Sequence, residues 1–238
     1  MGIFNMDGPL YKIGNIIADM LIIGLLWLLL AIPVFTIGAS TTAAYYVFTK
    51  RASGKDGYLW QDFWRSFRQN FRTATLVWLT ILVVYAILAF NVFNANLVEG
   101  FINILLITQF IIFVQVSFIT MYAFPLISRF EMGYRTVFKT AFFLANRHIL
   151  LTIANTILFA AVAFLSIAQP IFAIPAIGLY IHFSSFLILR AFKKYRPELD
   201  EETEVGALGP LNFEDKETTA LDLEAVKKMQ EDKEDNSP

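Results

Sequence analysis

The apolar positions of this chain come in long blocks. Runs such as Leu21–Leu30 and Ile102–Phe113 are apolar nearly all round, with neither the two-residue alternation of a barrel strand nor the single stripe of a surface helix. Helices surrounded by lipid and by one another carry that signature, and alternating barrel strands do not. A crossing of a hydrocarbon layer of about 30 Å takes about 20 helical residues. Five segments reach that length: 16–37, interrupted by Asp19 and Pro33; 73–93; 101–128; 149–168; and 171–189, joined to the fourth by a tight turn at Gln169 and Pro170. The stretch Ala39–Phe48 is apolar but short. It reads as a re-entrant or interfacial continuation of the first helix, bent near Gly38.

Two connectors have a different period. Trp60, Phe63, Trp64, Phe67 and Phe71 fall on one helical face of residues 57–72, with Arg65, Arg68 and Arg72 on another. This predicts an amphipathic helix in the headgroup plane, aromatic side in lipid and arginine side near phosphates. A weaker copy lies in 129–148, where Phe130, Tyr134, Phe138 and Phe142 form one stripe and Arg135 and Lys139 another. The expected fold is therefore all-α: a polytopic transmembrane bundle of about five crossings (domain 1–197) with two amphipathic cytoplasmic connector helices.

Composition agrees and adds a side. Of 238 residues, 57% are hydrophobic and 16% charged, against about 45–50% and 25% in soluble domains. The formal net charge of −1 hides two opposite regions, because residues 1–197 hold 15 Lys+Arg and 6 Asp+Glu while 198–238 hold 4 and 14. The second region is an acidic tail too poor in apolar residues to order itself. With five crossings and the N-terminus outside, external segments hold one basic residue, Lys12, and internal ones hold 18. The positive-inside rule then predicts an N-outside, C-inside chain in the cell membrane.

Candidate chemistry is sparse. There is no cysteine and no HExxH, GxSxG, Walker or dinucleotide signature, so neither an enzyme, a metal site nor a cofactor is expected. A nucleic-acid partner is not expected either. Polar side chains inside spans are expensive and face the bundle or a wet path. Gln109, Gln115, Asn155 and His182 are the candidates for a polar path, and uncharged amides suit the hydroxyls of a sugar ligand. Asp19 reads as an outer-end residue, exposed or paired with Lys12, and His148 as interfacial. The small residues Gly38–Ala44 suit close helix packing or a gating bend.

A resemblance sharpens the context. Asn5-Met6-Asp7-Gly8-Pro9-Leu10, then Pro33-Val34-Phe35-Thr36-Ile37-Gly38-Ala39-Ser40-Thr41-Thr42-Ala43, then Asp62-Phe63-Trp64-Arg65-Ser66-Phe67-Arg68-Gln69-Asn70-Phe71 resemble the YesL family over about residues 1–195. That family consists of multi-pass membrane proteins often encoded beside carbohydrate ABC transporters, without an established biochemical function. The resemblance implies a setting in sugar or oligosaccharide uptake, with the lipid bilayer and ABC-transporter subunits as partners, and supplies no catalytic residue. On that reading Trp60, Trp64, Arg65, Arg68, Arg135 and Lys139 form a cytoplasmic docking surface. A standalone transporter or channel, and a scaffold acting through the tail, are the alternative readings.

Overall fold

The computed structural model describes residues 9–53, 57–94, 102–169 and 173–195. Every regular element among them is helical: α1 (Pro9–Ala31), a 3₁₀ turn (Val34–Thr36), α2 (Ile37–Ala52), α3 (Leu59–Phe93), α4 (Ile102–Arg129), α5 (Tyr134–Arg147), α6 (Ile149–Ala168) and α7 (Ala173–Lys193). Five stretches are long and apolar enough to cross a membrane: Gly14–Ala31, Leu59–Phe93, Asn103–Arg129, Ile149–Ala168 and Pro175–Phe192. The acidic tail, the 95–101 connection and the turn at Pro170 lie outside the described residues.

The first expected crossing, 16–37, is broken. Pro33 lacks an N–H and holds an extended conformation (φ −74°, ψ 110°), so α1 cannot run through it. The Thr36 hydroxyl donates to the carbonyls of Leu30 and Pro33, two acceptors that the end of α1 leaves without helical partners. The chain then reverses. Trp27 Nε1 donates to Thr41 Oγ1 at 2.9 Å, and Arg51, near the far end of α2, pairs with Asp19. α3 runs antiparallel to α2 in turn: Lys50 Nζ lies 2.8 Å from the Asp62 carboxylate at one end, and Trp78 Nε1 donates to the Val34 carbonyl at 2.7 Å at the other.

This geometry corrects three expectations. Ala39–Phe48 is not a continuation of the first helix but part of its own helix, packed back along α1. Asp19 sits beside Arg51, although its helix was read as entering from the opposite side. The start of α1 therefore stands with the start of α3, and the N-terminus cannot be outside while residues 50–72 are inside.

α2 shows why a polar-looking segment can be the centre of a membrane bundle. Eleven of its residues, Gly38 to Thr49 without Thr41, are buried. Gly38 has no side chain because none fits: a Cβ there would stand 2.6 Å from the Ala74 carbonyl oxygen and from Trp78 Cβ. The hydroxyls do not need water either. Ser40, Thr41, Thr42 and Thr49 each donate to the carbonyl four residues earlier, the usual way such residues are carried inside a helix.

The two connectors also differ from expectation. Residues 59–72 are not a separate helix in the headgroup plane; they are the first half of the continuous α3. Their Phe63 and Phe67 are buried in the core with α2 residues rather than set in lipid. α5 buries Val137, Thr140, Ala141, Leu144 and Ala145, a face other than the expected aromatic stripe. Tyr134 and Phe142 are exposed, and Phe130 lies before the helix, buried. α5 begins against α3, with Tyr134 OH 2.8 Å from Thr80 Oγ1, and ends where α6 starts, with Thr152 Oγ1 donating to the Ala145 carbonyl at 2.8 Å and lying 3.1 Å from Tyr122 OH.

α7 closes the bundle. Its Gly178 packs on the backbone of Met20 in α1, and its Ser184 Oγ lies 2.9 Å from Tyr45 OH in α2.

Candidate functional site

Two places have more structure than packing alone requires. The first is the α3 segment before the bilayer span expected from the sequence. Trp60, Trp64, Phe67 and Phe71, three or four residues apart, form a ladder of rings with centroid separations of 6.0, 5.6 and 5.4 Å. The Arg68 guanidinium lies 5.3 Å from the Trp64 ring centroid, within cation–π range. Trp60, Arg65 and Arg68 are exposed while Phe63 and Phe67 are buried. The lysine and arginine at the end of α2 are partnered here, Lys50 by Asp62 and Arg51 by Asp19. Arg129, at the end of α4, is not. It is 4% exposed; its Nε donates to Thr49 Oγ1 at 2.8 Å, and its guanidinium lies 5.6 Å from the Tyr46 ring centroid. Among the described residues no carboxylate pairs with it, and its Nη2 has no hydrogen-bond partner. A basic residue at the end of an apolar run is ordinarily an interfacial charge, so no sequence signal marked Arg129 as buried.

The second place is a half-open cavity of about 1320 Å³ between the α3–α4 pair and the α6–α7 pair, with α1 and α2 closing one side. Aromatic rings dominate its walls: Trp27, Trp78, Tyr85, Phe93, Phe110, Phe113, Phe118, Phe124, Phe159 and Tyr180. Most polar groups in these walls are already bonded. Tyr85 OH meets Ser117 Oγ at 3.0 Å, Thr156 Oγ1 donates to the Thr152 carbonyl, and Trp27 is held by Thr41. The exception is Gln109, 7% exposed, whose Oε1 has no partner.

The four residues expected to form a polar path do not converge. Gln109 lines the cavity; Gln115, Asn155 and His182 do not. Asn155 reaches it only through Tyr180, its Nδ2 standing 3.4 Å from the Tyr180 hydroxyl, and its Oδ1 is unpartnered. His182 is set among Phe48, Phe183 and Phe186 at 5.3, 5.4 and 5.1 Å, with Nδ1 unpartnered. Gln115 Nε2 is buried without a partner. Helical spacing explains the scatter, because residues 109 and 115 are six apart and face different neighbours. Tyr45 and Tyr180, which sequence reading passed over among so many aromatics, contribute hydroxyls to the wall.

The docking set also divides. Trp60, Trp64, Arg65 and Arg68 share α3, whereas Arg135 and Lys139 are exposed on α5. Tyr134, next to Arg135, reaches Thr80, which lies about 18 Å along α3 from Arg68 and about 30 Å from Trp60. The two clusters are separate surfaces.

Five apolar helices, a buried polar return helix and a cavity at the depth of the spans define a polytopic helical membrane protein. A family described as "Protein of unknown function, DUF624" matches residues 20–92, less than a third of the chain, covering α3 and most of α1 and α2. No curated protein and no solved structure matches.

Proposed function

We propose that this protein is an accessory or permease-like component of a carbohydrate uptake system in the cell membrane, docking a cytoplasmic partner on the exposed face of the first half of α3. The observation that carries this reading is the ring ladder with its arginines: Trp60 is 55% exposed, beside Arg65 and Arg68 on the same helix. Indole and guanidinium groups that stand in water yet are held in order are the anchors of protein–protein contacts. The resemblance to the YesL family supports ABC-transporter subunits as that partner, and the charge calls for an acidic patch on it.

The side is argued from the helix directions. With α1 and α2 paired, the connections at the opposite end are 32–36, 94–101 and 169–172, and none contains Lys or Arg. All 19 basic residues then fall in segments of one side, a sharper split than the N-outside arrangement gives. The positive-inside rule makes that side the cytoplasm and places both termini there.

The test is co-purification from native membranes in mild detergent. Wild type is expected to bring ABC-transporter subunits in fixed ratio, and Arg65→Glu/Arg68→Glu to lose them while keeping its melting temperature. Unchanged recovery after the double substitution removes the docking surface. Isolation of wild type alone removes the accessory role.

A further inference from the structure

We propose that the cavity between the α3–α4 and α6–α7 pairs is a lipid site: hydrocarbon chains fill it, and Gln109 takes a hydroxyl or amide N–H of the lipid's polar part. This stands apart from the docking proposal and rests on different residues.

The first ground is where the cavity lies. Its lining on α4 runs from Leu106 to Phe124, a rise of about 27 Å, close to the thickness of a hydrocarbon core. The lining residues of α1, α3, α4, α6 and α7 all fall within the five membrane-spanning stretches. A void of about 1320 Å³ exceeds the roughly 300–1,000 Å³ of ordinary small-molecule pockets, and its length suits an extended chain. Left empty at that depth, the walls would forfeit dispersion contacts along their whole length.

The second ground is wall chemistry, which discriminates between occupants. A sugar needs several free donors and acceptors, and the hydroxyls of Tyr85, Ser117 and Thr156 are already engaged. A transmembrane helix from a second copy or another protein needs small residues for close backbone approach. The walls contain no glycine and only three alanines, Ala89, Ala163 and Ala176. Large, adjustable aromatic and aliphatic side chains suit flexible hydrocarbon instead.

The third ground is Gln109. Its side chain is in the cavity wall, 93% buried, with an amide oxygen that no donor in the protein reaches. An unpaired acceptor at that depth is costly. A donor on the occupant would satisfy it.

The experiment is native mass spectrometry of the full chain, extracted in mild detergent and then exchanged against either a diacylglycerol, which has a free hydroxyl, or a phosphatidylcholine of the same chains, which has no donor. Wild type is expected to retain lipid at near one-to-one and to prefer the diacylglycerol about five-fold, the worth of one neutral hydrogen bond. Gln109→Leu should abolish that preference while keeping lipid. Ala89→Phe/Ala163→Phe, which fills the cavity, should lose retention, and Ile157→Phe, on an exposed α6 position outside the lining, should not. Equal retention by the filled variant with an unchanged melting temperature overturns the proposal, as does a wild type that holds no lipid. Conversion of a wild-type dimer to a monomer by the filled variant assigns the cavity to a helix and overturns it too. None of these readings depends on a transporter partner, so failure here leaves the docking test standing.

Discussion

α2 and α4 occupy the same molecule under opposite rules. α2 contains Gly38, Ser40, Thr41, Thr42, Thr49, Tyr45 and Tyr46, and is the most enclosed helix of the bundle. α4 is almost wholly apolar in its first three turns, yet Ile104, Ile107, Phe110 and Ile111 are 62–68% exposed. In water the assignment would be reversed. In a bilayer, lipid tails are as apolar as leucine, so an apolar side chain gains little by leaving them for the protein interior. Helices that contact lipid must be apolar, and a helix enclosed by other helices needs small, well-packed residues with bonded hydroxyls. Burial here follows size and fit rather than hydrophobicity.

The largest effect expected is one of side. In this cysteine-free chain, Val34→Cys and Tyr58→Cys should react with an impermeant thiol reagent from opposite faces of the membrane, and a tag before Met1 should lie with Tyr58→Cys. Labelling of Val34→Cys and Tyr58→Cys from one face dissolves the α1–α2 pairing on which the comparison stands. Next is packing. Gly38→Leu drives a side chain into Ala74 and Trp78 and is expected to cost about 3 kcal/mol or more. Ile107→Ala on the lipid face of α4 should cost less than about 0.5 kcal/mol. Thermal melts in one detergent compare the two, and similar losses would erase the distinction.

The Asp19–Arg51 pair comes third. Its side chains are 11% and 30% exposed, so removal of either charge strands a partly desolvated partner. Asp19→Asn alone is expected to cost about 2 kcal/mol, below the 3–5 of a fully buried pair. The double variant with Arg51→Gln should lose less than the two singles summed, and strict additivity would show that the ions do not couple.

The smallest effect belongs to His148, just outside the α6 span, with Nε2 3.1 Å from Tyr195 OH. Burial, with Lys194 and Arg147 nearby, holds its imidazolium pKa below the usual histidine value. The unfolded chain then binds more protons, so stability rises with pH. The contribution is complete above about pH 6.5 and is lost as pH falls through that value toward the folded pKa. His148→Gln should flatten the melting temperature between pH 5 and 7, and an equally sloped profile would assign the dependence to another group.

How much was legible in the sequence follows from the same contrast. Leu21–Leu30 and Ile102–Phe113 announce lipid contact by composition alone, because a lipid-facing helix has no other way to satisfy its surroundings. The all-α class, four of the five spans and the amphipathic character of residues 57–72 could be read this way. The reversal at Pro33 could not, since a proline after an apolar run marks a break but not the direction that follows. Likewise Gln109, Gln115, Asn155 and His182 were visible as costly polar groups, but nothing in their spacing said that only Gln109 would meet the cavity.

The sequence by itself therefore determined the solvent: which helices face lipid, that the chain is helical, and that its basic and acidic residues are segregated. Only the tertiary structure decided that Asp19 stands beside Arg51, that α2 returns through the centre, and that two helix pairs part far enough to leave a cavity. The physical reason is range. Lipid exposure is a property each residue expresses locally, whereas direction, pairing and cavities depend on contacts between residues such as Gly38 and Trp78 or Tyr45 and Ser184, which lie 40 or more positions apart.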